Sequence, residues 1–283
     1  MIPKRPYGKK GDQLSIIGLG GIVLARLPQG EANALAREAY EKGINYFDVA
    51  PTYWDAEERM GPAIKSFRDK LFLACKTTRR DAKGALEELE NSLRKLQTDH
   101  FDLYQLHALS KMEELEQCFA PGGAMETFLK AREQGKVRYI GFSAHSEEVA
   151  LEAIKRFPFD SVLFPFNFVT LFKGNFGWEL LKEAPKRGIT LLALKAMAKT
   201  HWQEGDKRLE KCWYKPITDP KLAELALRFT LSLQVAAAIP PGDENIFRMA
   251  LGLGERFRKI TPREEKQLRT EAEKLTPIFS RAA

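Results

Sequence analysis

Cysteine and histidine are the scarce residues in this chain, with 3 and 4 respectively among 283. Cys75, Cys118 and Cys212 are odd in number and far apart, which excludes a disulfide framework or zinc knuckle and leaves reduced, structural thiols as the expectation. No cluster of His, Cys, Asp and Glu has metal-ligand spacing, so no metal is expected. Any run of about 18 uncharged apolar residues is also missing, so no membrane span is expected. The stretch MIPKRPYGKK has charge with no apolar segment behind it, which argues against a signal peptide and for a cytoplasmic protein. Low-complexity tracts and domain linkers are absent, and residues 1–283 read as a single domain.

What is present is ordinary globular composition, 44% hydrophobic and 29% charged, with a net charge of +7. Such a balance invites a nucleic-acid partner. The basic residues are interleaved with acids, however, as in TRRDAKGALEELENSLRKL, and the one dense cluster is KRPYGKK. No nucleic-acid role is expected; the mild excess suits an anionic small ligand, such as a phosphorylated cofactor, equally well.

Along the chain, helix-period stretches alternate with short apolar runs. LSIIGLGG leads into glycines, EANALAREAYEKG follows at helical period, and INYFDVA is the next strand. Runs beginning at Ser15, Ile44, Leu71, Phe101, Val137, Ser161, Ile189 and Val235 make eight strands, and eight alternating strand–helix units specify an α/β fold, a (β/α)8 TIM barrel. Gly43, Gly135 and Gly188 each follow a basic last turn and precede a strand, as left-handed helix C-caps do. IPKRPYGKKGDQ is placed to plug the barrel floor. Residues 194–220 are too long for a plain connection after strand seven and read as a lid or binding loop. ITPREEKQLRTEAEKL reads as a C-terminal helix with Thr261 as cap and Pro262 in its first turn.

Barrel chemistry sits at the C-terminal strand ends. Strand two ends in Asp48, with Tyr53 in the following loop; strand three ends in Lys76 and strand four in His107. Each has a bland explanation alone: a loop cap, a lysine emerging into solvent, a structural histidine. Together they place four ionisable types on one side of the mouth. A phenol of pKa near ~10 trades protons poorly at neutral pH, and an adjacent ammonium brings that value down. Asp48 would hold Lys76 charged, Tyr53 would be the general acid, and His107 would donate a second hydrogen bond to the substrate. No activated serine or cysteine supplies a nucleophile for carbon, so a hydride from a bound cofactor fits best.

The ordered motifs GLGG, FDVAPTYWDAEERMG, LACKT and DLYQLH resemble the aldo-keto reductase family, over essentially the whole chain. The resemblance implies a (β/α)8 barrel, an NADPH-type cofactor across the C-terminal mouth, and hydride transfer to an aldehyde or ketone with tyrosine supplying the proton. It implies catalytic roles for Asp48, Tyr53, Lys76 and His107. Cofactor contacts carried over by position are Gly21, Ile22, Asp48, Ser143, Ala144, Leu163, Leu194, Lys195, Pro241, Gly242 and Arg248. Ser143 matches a carboxamide-contacting serine, whereas Ala144, Leu163 and Leu194 stand where asparagine, glutamine and a stacking aromatic are common. His145 could supply a replacement donor, or simply neighbour a helix cap. After the eighth strand, IPPGDENIFRMA puts Pro241 at a commonly basic position, and Asp243 and Glu244 would repel a 2′-phosphate; Arg248, one turn on, could pair with it. Lys195 and Lys199 could reach phosphates too. NADP is therefore expected ahead of NAD.

Trp54, directly after the catalytic tyrosine, and His107 are expected to contact substrate, and Trp202, Trp213 and Tyr214 either line an apolar carbonyl pocket or pack the long loop. A cofactor-binding regulatory subunit with slow turnover is the competing class. A lyase on the same barrel is disfavoured, because it would want a Schiff-base lysine in an apolar site or a carboxylate pair, and Lys76 beside Asp48 stays protonated.

Overall fold

The computed structural model describes residues 1–8 and 11–281; Lys9 and Lys10, part of the basic cluster and floor segment anticipated above, lie outside them. An antiparallel hairpin of β1 (Lys4–Tyr7) and β2 (Asp12–Ser15) precedes the barrel. The strand–helix alternation then runs β3 (Leu19–Gly20), α1 (Gln29–Glu41), β4 (Tyr46–Asp48), α2 (Ala56–Ile64), β5 (Phe72–Thr77), α3 (Ala82–Lys95) and β6 (Phe101–Leu109). It continues with α4 (Met112–Phe119), α5 (Ala124–Glu133), β7 (Val137–Ala144), α6 (Glu147–Arg156), β8 (Ser161–Phe164), α7 (Phe168–Phe172), α8 (Trp178–Lys186) and β9 (Thr190–Leu194). After β10 (Ala198–Thr200) and β11 (Lys215–Pro216) come α9 (Pro220–Ser232), β12 (Val235–Ile239), α10 (Glu244–Glu255) and α11 (Pro262–Glu273).

The eight strands β3 to β9 and β12 are all parallel and lie in chain order around one sheet. Closure comes just before β3. Ile17 bridges to Ala238, the Gly18 N–H donates to the Ala238 carbonyl at 3.0 Å, and the Ala238 N–H donates to the Ile16 carbonyl at 2.9 Å. The expected (β/α)8 barrel is the observed fold. Inside, Tyr46, Phe72, Leu103, Tyr139, Leu163 and Leu192 form one apolar cluster, as alternate residues on strands facing a packed axis must.

The hairpin does plug the floor. Tyr7 is fully buried, its ring meets that of Phe72 edge to face with centroids 4.7 Å apart, and its hydroxyl donates to Ser161 Oγ at 2.8 Å. A buried phenol needs that partner, so the plug is fixed in depth as well as held by area. Gly43, Gly135 and Gly188 have φ of +95°, +75° and +72°, the left-handed caps read from the sequence. Thr261 accepts from the Glu264 N–H while Glu264 reaches back to the Thr261 N–H, a capping box that starts α11 at Pro262.

The long segment after β9 folds back as the antiparallel pair β10–β11, with Trp202 Nε1 donating to the Cys212 carbonyl at 2.7 Å. It is latched across the mouth: Lys211 Nζ reaches the Val23 carbonyl at 3.0 Å and pairs with Glu244, and Glu210 pairs with Arg26.

Candidate active site

The sheet register sets the first contacts. Parallel pairing places Asp48 opposite Ala74 and Lys76 opposite Gln105, so Asp48, Lys76 and His107 leave three adjacent strands on the inner face. Asp48 and Lys76 are 2% and 1% exposed and form an ion pair; Lys76 Nζ also reaches the Val49 carbonyl at 3.2 Å. The other Asp48 oxygen accepts from the Tyr46 hydroxyl and from Gln105 Nε2, each at 3.2 Å. A buried carboxylate is tolerated on these terms, paired and hydrogen-bonded at both oxygens. Tyr46 and Gln105 were not singled out in the sequence, although each lies two residues before a predicted site residue and so shares its face.

Tyr53 stands over this pair, its ring centroid 5.7 Å from Lys76 Nζ and 5.8 Å from the His107 ring, which meets it edge-on at 85°. The four predicted catalytic residues are thus brought together. Burial pulls the Lys76 ammonium down, but Asp48 and Tyr53 raise it above its ordinary value overall, so it stays charged. For Tyr53 the expectation needs correcting. Burial raises its phenol above the ordinary value and outweighs the lowering by Lys76; Asp48 adds to the rise. Tyr53 therefore keeps its proton at neutral pH. His107 is pushed down to about 3, by burial first and then by Lys76, Lys195 and Arg80, so it is neutral. Its Nδ1 is buried without a partner among the described residues.

Of these groups Asp48 and Tyr53 border a cavity of about 390 Å³, and Lys76 and His107 lie behind them, outside its wall. Of the predicted residues, Ile22, Asp48, Tyr53, Trp54, Leu163, Leu194, Lys195, Pro241 and Gly242 line it, together with the loop residues Glu210, Lys211, Trp213 and Tyr214. Gly21, Ser143, Ala144 and Arg248 are not in its wall. The Ser143 hydroxyl accepts the Ala108 N–H at 2.7 Å and braces the turn after His107. Ala144 is fully buried, and Arg248 projects outward to pair with Glu38 at 3.0 Å. Trp202 packs within the long loop, whereas Arg26 lies 4.1 Å over the Trp54 ring. Asp243 spends its carboxylate on the Asn245 and Ile246 N–H groups at the start of α10. Among the described residues no group of His, Cys, Asp and Glu could hold a metal ion.

A family model described as the Aldo/keto reductase family matches residues 16–215. The chain belongs to the aldo/keto reductase family. It is 35% identical over 157 residues to "Aldo-keto reductase YhdN" of Bacillus subtilis, covering 49% of this chain and 46% of that protein. It is 30% identical over 178 residues to "Uncharacterized oxidoreductase YqkF" of the same organism, covering 58% and 56%. The matched part thus spans about half the length of these curated relatives. Among solved structures, the holo form of aldo-keto reductase AKR11C1 from Bacillus halodurans superposes with a TM-score of 0.76 over 96% of each chain, at 23% identity, a likeness of fold. No helix of the described residues is long and apolar enough to cross a membrane.

At this family member's barrel mouth Trp54 at φ +48°, Ala108 at +55° and Lys195 at +61° are non-glycine residues with left-handed backbone, as is Arg26 at +61°. Trp54, Ala108 and Lys195 directly follow Tyr53, His107 and Leu194. Such a conformation costs on the order of 1 kcal/mol or more per residue and persists where surrounding packing enforces it, as at sites that aim side chains. No periodicity in the sequence marks these positions.

Proposed function

We propose that this chain is an NADP(H)-dependent oxidoreductase that reduces aldehydes or ketones to alcohols, its 283 residues acting as one catalytic domain. The observation that carries this is the buried Asp48–Lys76 pair beneath a Tyr53 that still holds its proton, with a neutral His107 edge-on to it. A carbonyl oxygen placed between Tyr53 and His107 meets a proton donor and a neutral ring. As negative charge builds on that oxygen, Lys76 stabilises it and lowers the cost of drawing the proton from Tyr53. Asp48, held by Tyr46 and Gln105, keeps the ammonium charged and aimed. Trp54, Trp213 and Tyr214 give the cavity apolar walls suited to hydrophobic or aromatic carbonyl compounds.

The cavity's lining fits a nicotinamide dinucleotide in two respects: an apolar surface of Leu163, Leu194 and Ile239 for a flat ring, and Lys211, on release from Glu244, for phosphate, to which Lys195 would add in its protonated form. Bound there, the dinucleotide supplies the hydride for the carbonyl carbon. Ile22, Pro241 and Gly242 would give close backbone approach, and Leu163 and Leu194 would border the nicotinamide, whereas Gly21, Ser143 and Ala144 would act from behind the wall. Arg248 would meet a 2′-phosphate after leaving Glu38; an exposed ion pair of that kind is worth at most about 1 kcal/mol and yields readily.

The test is fluorescence titration of the purified protein with NADPH and NADH, followed by the reduced-nicotinamide absorbance with 4-nitrobenzaldehyde added. Binding with turnover is expected, NADPH the tighter. Tight binding without turnover would point to a regulatory binder, and no binding would overturn the proposal.

A further inference from the structure

Lys195 is the residue in this cavity whose surroundings the reduction leaves unexplained. It is 8% exposed, lines the cavity, and is held in left-handed backbone immediately after β9. Its Nζ lies 3.1 Å from His145 Nε2 and over two ring faces, 5.4 Å from the Trp213 centroid and 5.6 Å from that of Phe279. His145 in turn stacks on Phe279 at 5.0 Å. None of these groups is an anion. The acids that line the same cavity are engaged elsewhere, Asp48 by Lys76 and Glu210 by Arg26, and the facing rings of His145 and His107 are both neutral. Burial accordingly pulls the Lys195 ammonium down to about 7. Among the described residues this is the apolar lysine without an anionic partner that carbonyl condensation uses, and it differs from Lys76 in the one respect that matters, the absence of a carboxylate in contact with it.

We propose that Lys195 is a nucleophilic amine that condenses with aldehydes entering the cavity, giving this chain a covalent carbonyl-capture site beside its reductase groups. The Nζ lone pair forms a bond to the carbonyl carbon while the C=O π pair moves onto oxygen. A proton passes from nitrogen to that oxygen by way of His145 Nε2 or solvent, giving a carbinolamine. The nitrogen lone pair then forms C=N as the C–O bond breaks; the oxygen leaves as water with a second proton. One amine and one aldehyde give one imine and one water, with no redox change. The proposal shares with the reductase reading the class of ligand, an aldehyde.

The test is run on the full chain without nicotinamide, using 4-nitrobenzaldehyde as probe and cyanoborohydride to reduce any imine to a stable secondary amine, with peptide mass mapping of all lysines. An exposed lysine with pKa near ~10.4 is neutral in only about one molecule in a few thousand at pH 7, whereas Lys195 is neutral in about half. Selective labelling of Lys195 at pH 7, at least tenfold above the other lysines, is expected. Its rate should level off above about pH 8 while the others keep rising. Labelling of Lys195 no faster than exposed lysines, or none, would overturn the proposal. Lys195→Arg should remove the fast adduct; the pH profile of the unmodified chain decides the matter even if that variant does not fold. Turnover without labelling would defeat this proposal alone, and labelling without turnover would defeat the reductase reading alone.

Discussion

Replacing Lys195 with methionine should make the protein more stable. The amine is pulled from its ordinary 10.5 to about 7, and at about 1.4 kcal/mol per pH unit that corresponds to a penalty of about 5 kcal/mol at pH 7 for holding the charged form in this cavity. The variant also loses the contact to His145 Nε2, worth about 1 kcal/mol, while Met fills most of the stem's volume among the rings. With some of the penalty relieved by water in the open cavity, a net gain of about 3 kcal/mol is a fair magnitude, or about 6 °C in melting temperature for a chain of this size. The sign with pH follows from proton counting. Between about 7 and 10.4 the unfolded state holds a proton on Lys195 that the folded state does not, so wild-type stability rises with pH through that window. Below 7 both states are protonated and the full penalty applies. Thermal denaturation of both proteins from pH 6 to pH 10 should therefore show the variant ahead by several degrees at pH 6 to 7, and the gap closing toward pH 10. A variant less stable at pH 7, or a gap independent of pH, would refute the account of Lys195 as a buried, unpaired base.

Tyr53→Phe keeps the ring beside His107 but removes the proton; carbonyl reduction should fall by about 10²- to 10⁴-fold with nicotinamide affinity nearly unchanged, read by steady-state kinetics beside fluorescence titration. Near-normal turnover would sink the mechanism. Lys76→Met removes the one charge that lowers the Tyr53 phenol, so residual activity should be small and its alkaline limb should move to higher pH. It also leaves Asp48 buried and unpaired, costing about 3 to 5 kcal/mol in thermal stability. A pH–rate profile that does not move would remove Lys76 from tuning the tyrosine. Arg248→Ala should weaken NADPH by about tenfold and leave NADH almost untouched, measured as two dissociation constants; equal effects would take Arg248 out of the phosphate site.

Which parts of this were legible beforehand follows from the range of the forces involved. The eight strands and the caps at Gly43, Gly135, Gly188 and Thr261 are local: period, apolar runs and turn chemistry mark them within a few residues. The meeting of Asp48, Lys76, Tyr53 and His107 was legible because parallel register in a barrel puts consecutive strand ends side by side. Helix α4 was hidden by its closeness to β6, and α7 is only five residues long, too short to show a period. The β10–β11 pair forms across an interval that carries no alternation of its own; its latches on Val23, Arg26 and Glu244 are tertiary. The rise at Tyr53 was missed for a related reason. A neighbouring ammonium can be inferred from motif order, but how much water a ring loses depends on the closed barrel and on the loop folded over it.

Lys76 and Lys195 make the same point from opposite sides. Both are buried at the C-terminal ends of barrel strands, and burial lowers the ammonium of each as its largest influence. Lys76 ends above its ordinary value because Asp48 is in contact, itself fixed by Tyr46 and Gln105. Lys195 ends near neutrality because its neighbours are an imidazole and two ring faces, which attract a cation but cannot replace its hydration. The nearest partner, and not depth, therefore decides whether a lysine at this mouth acts as a fixed charge or as a free amine. Strand position alone assigned both to binding or catalysis; what separates their chemistry is one carboxylate, supplied to Lys76 by the neighbouring strand and to Lys195 by none of the described groups in contact with it.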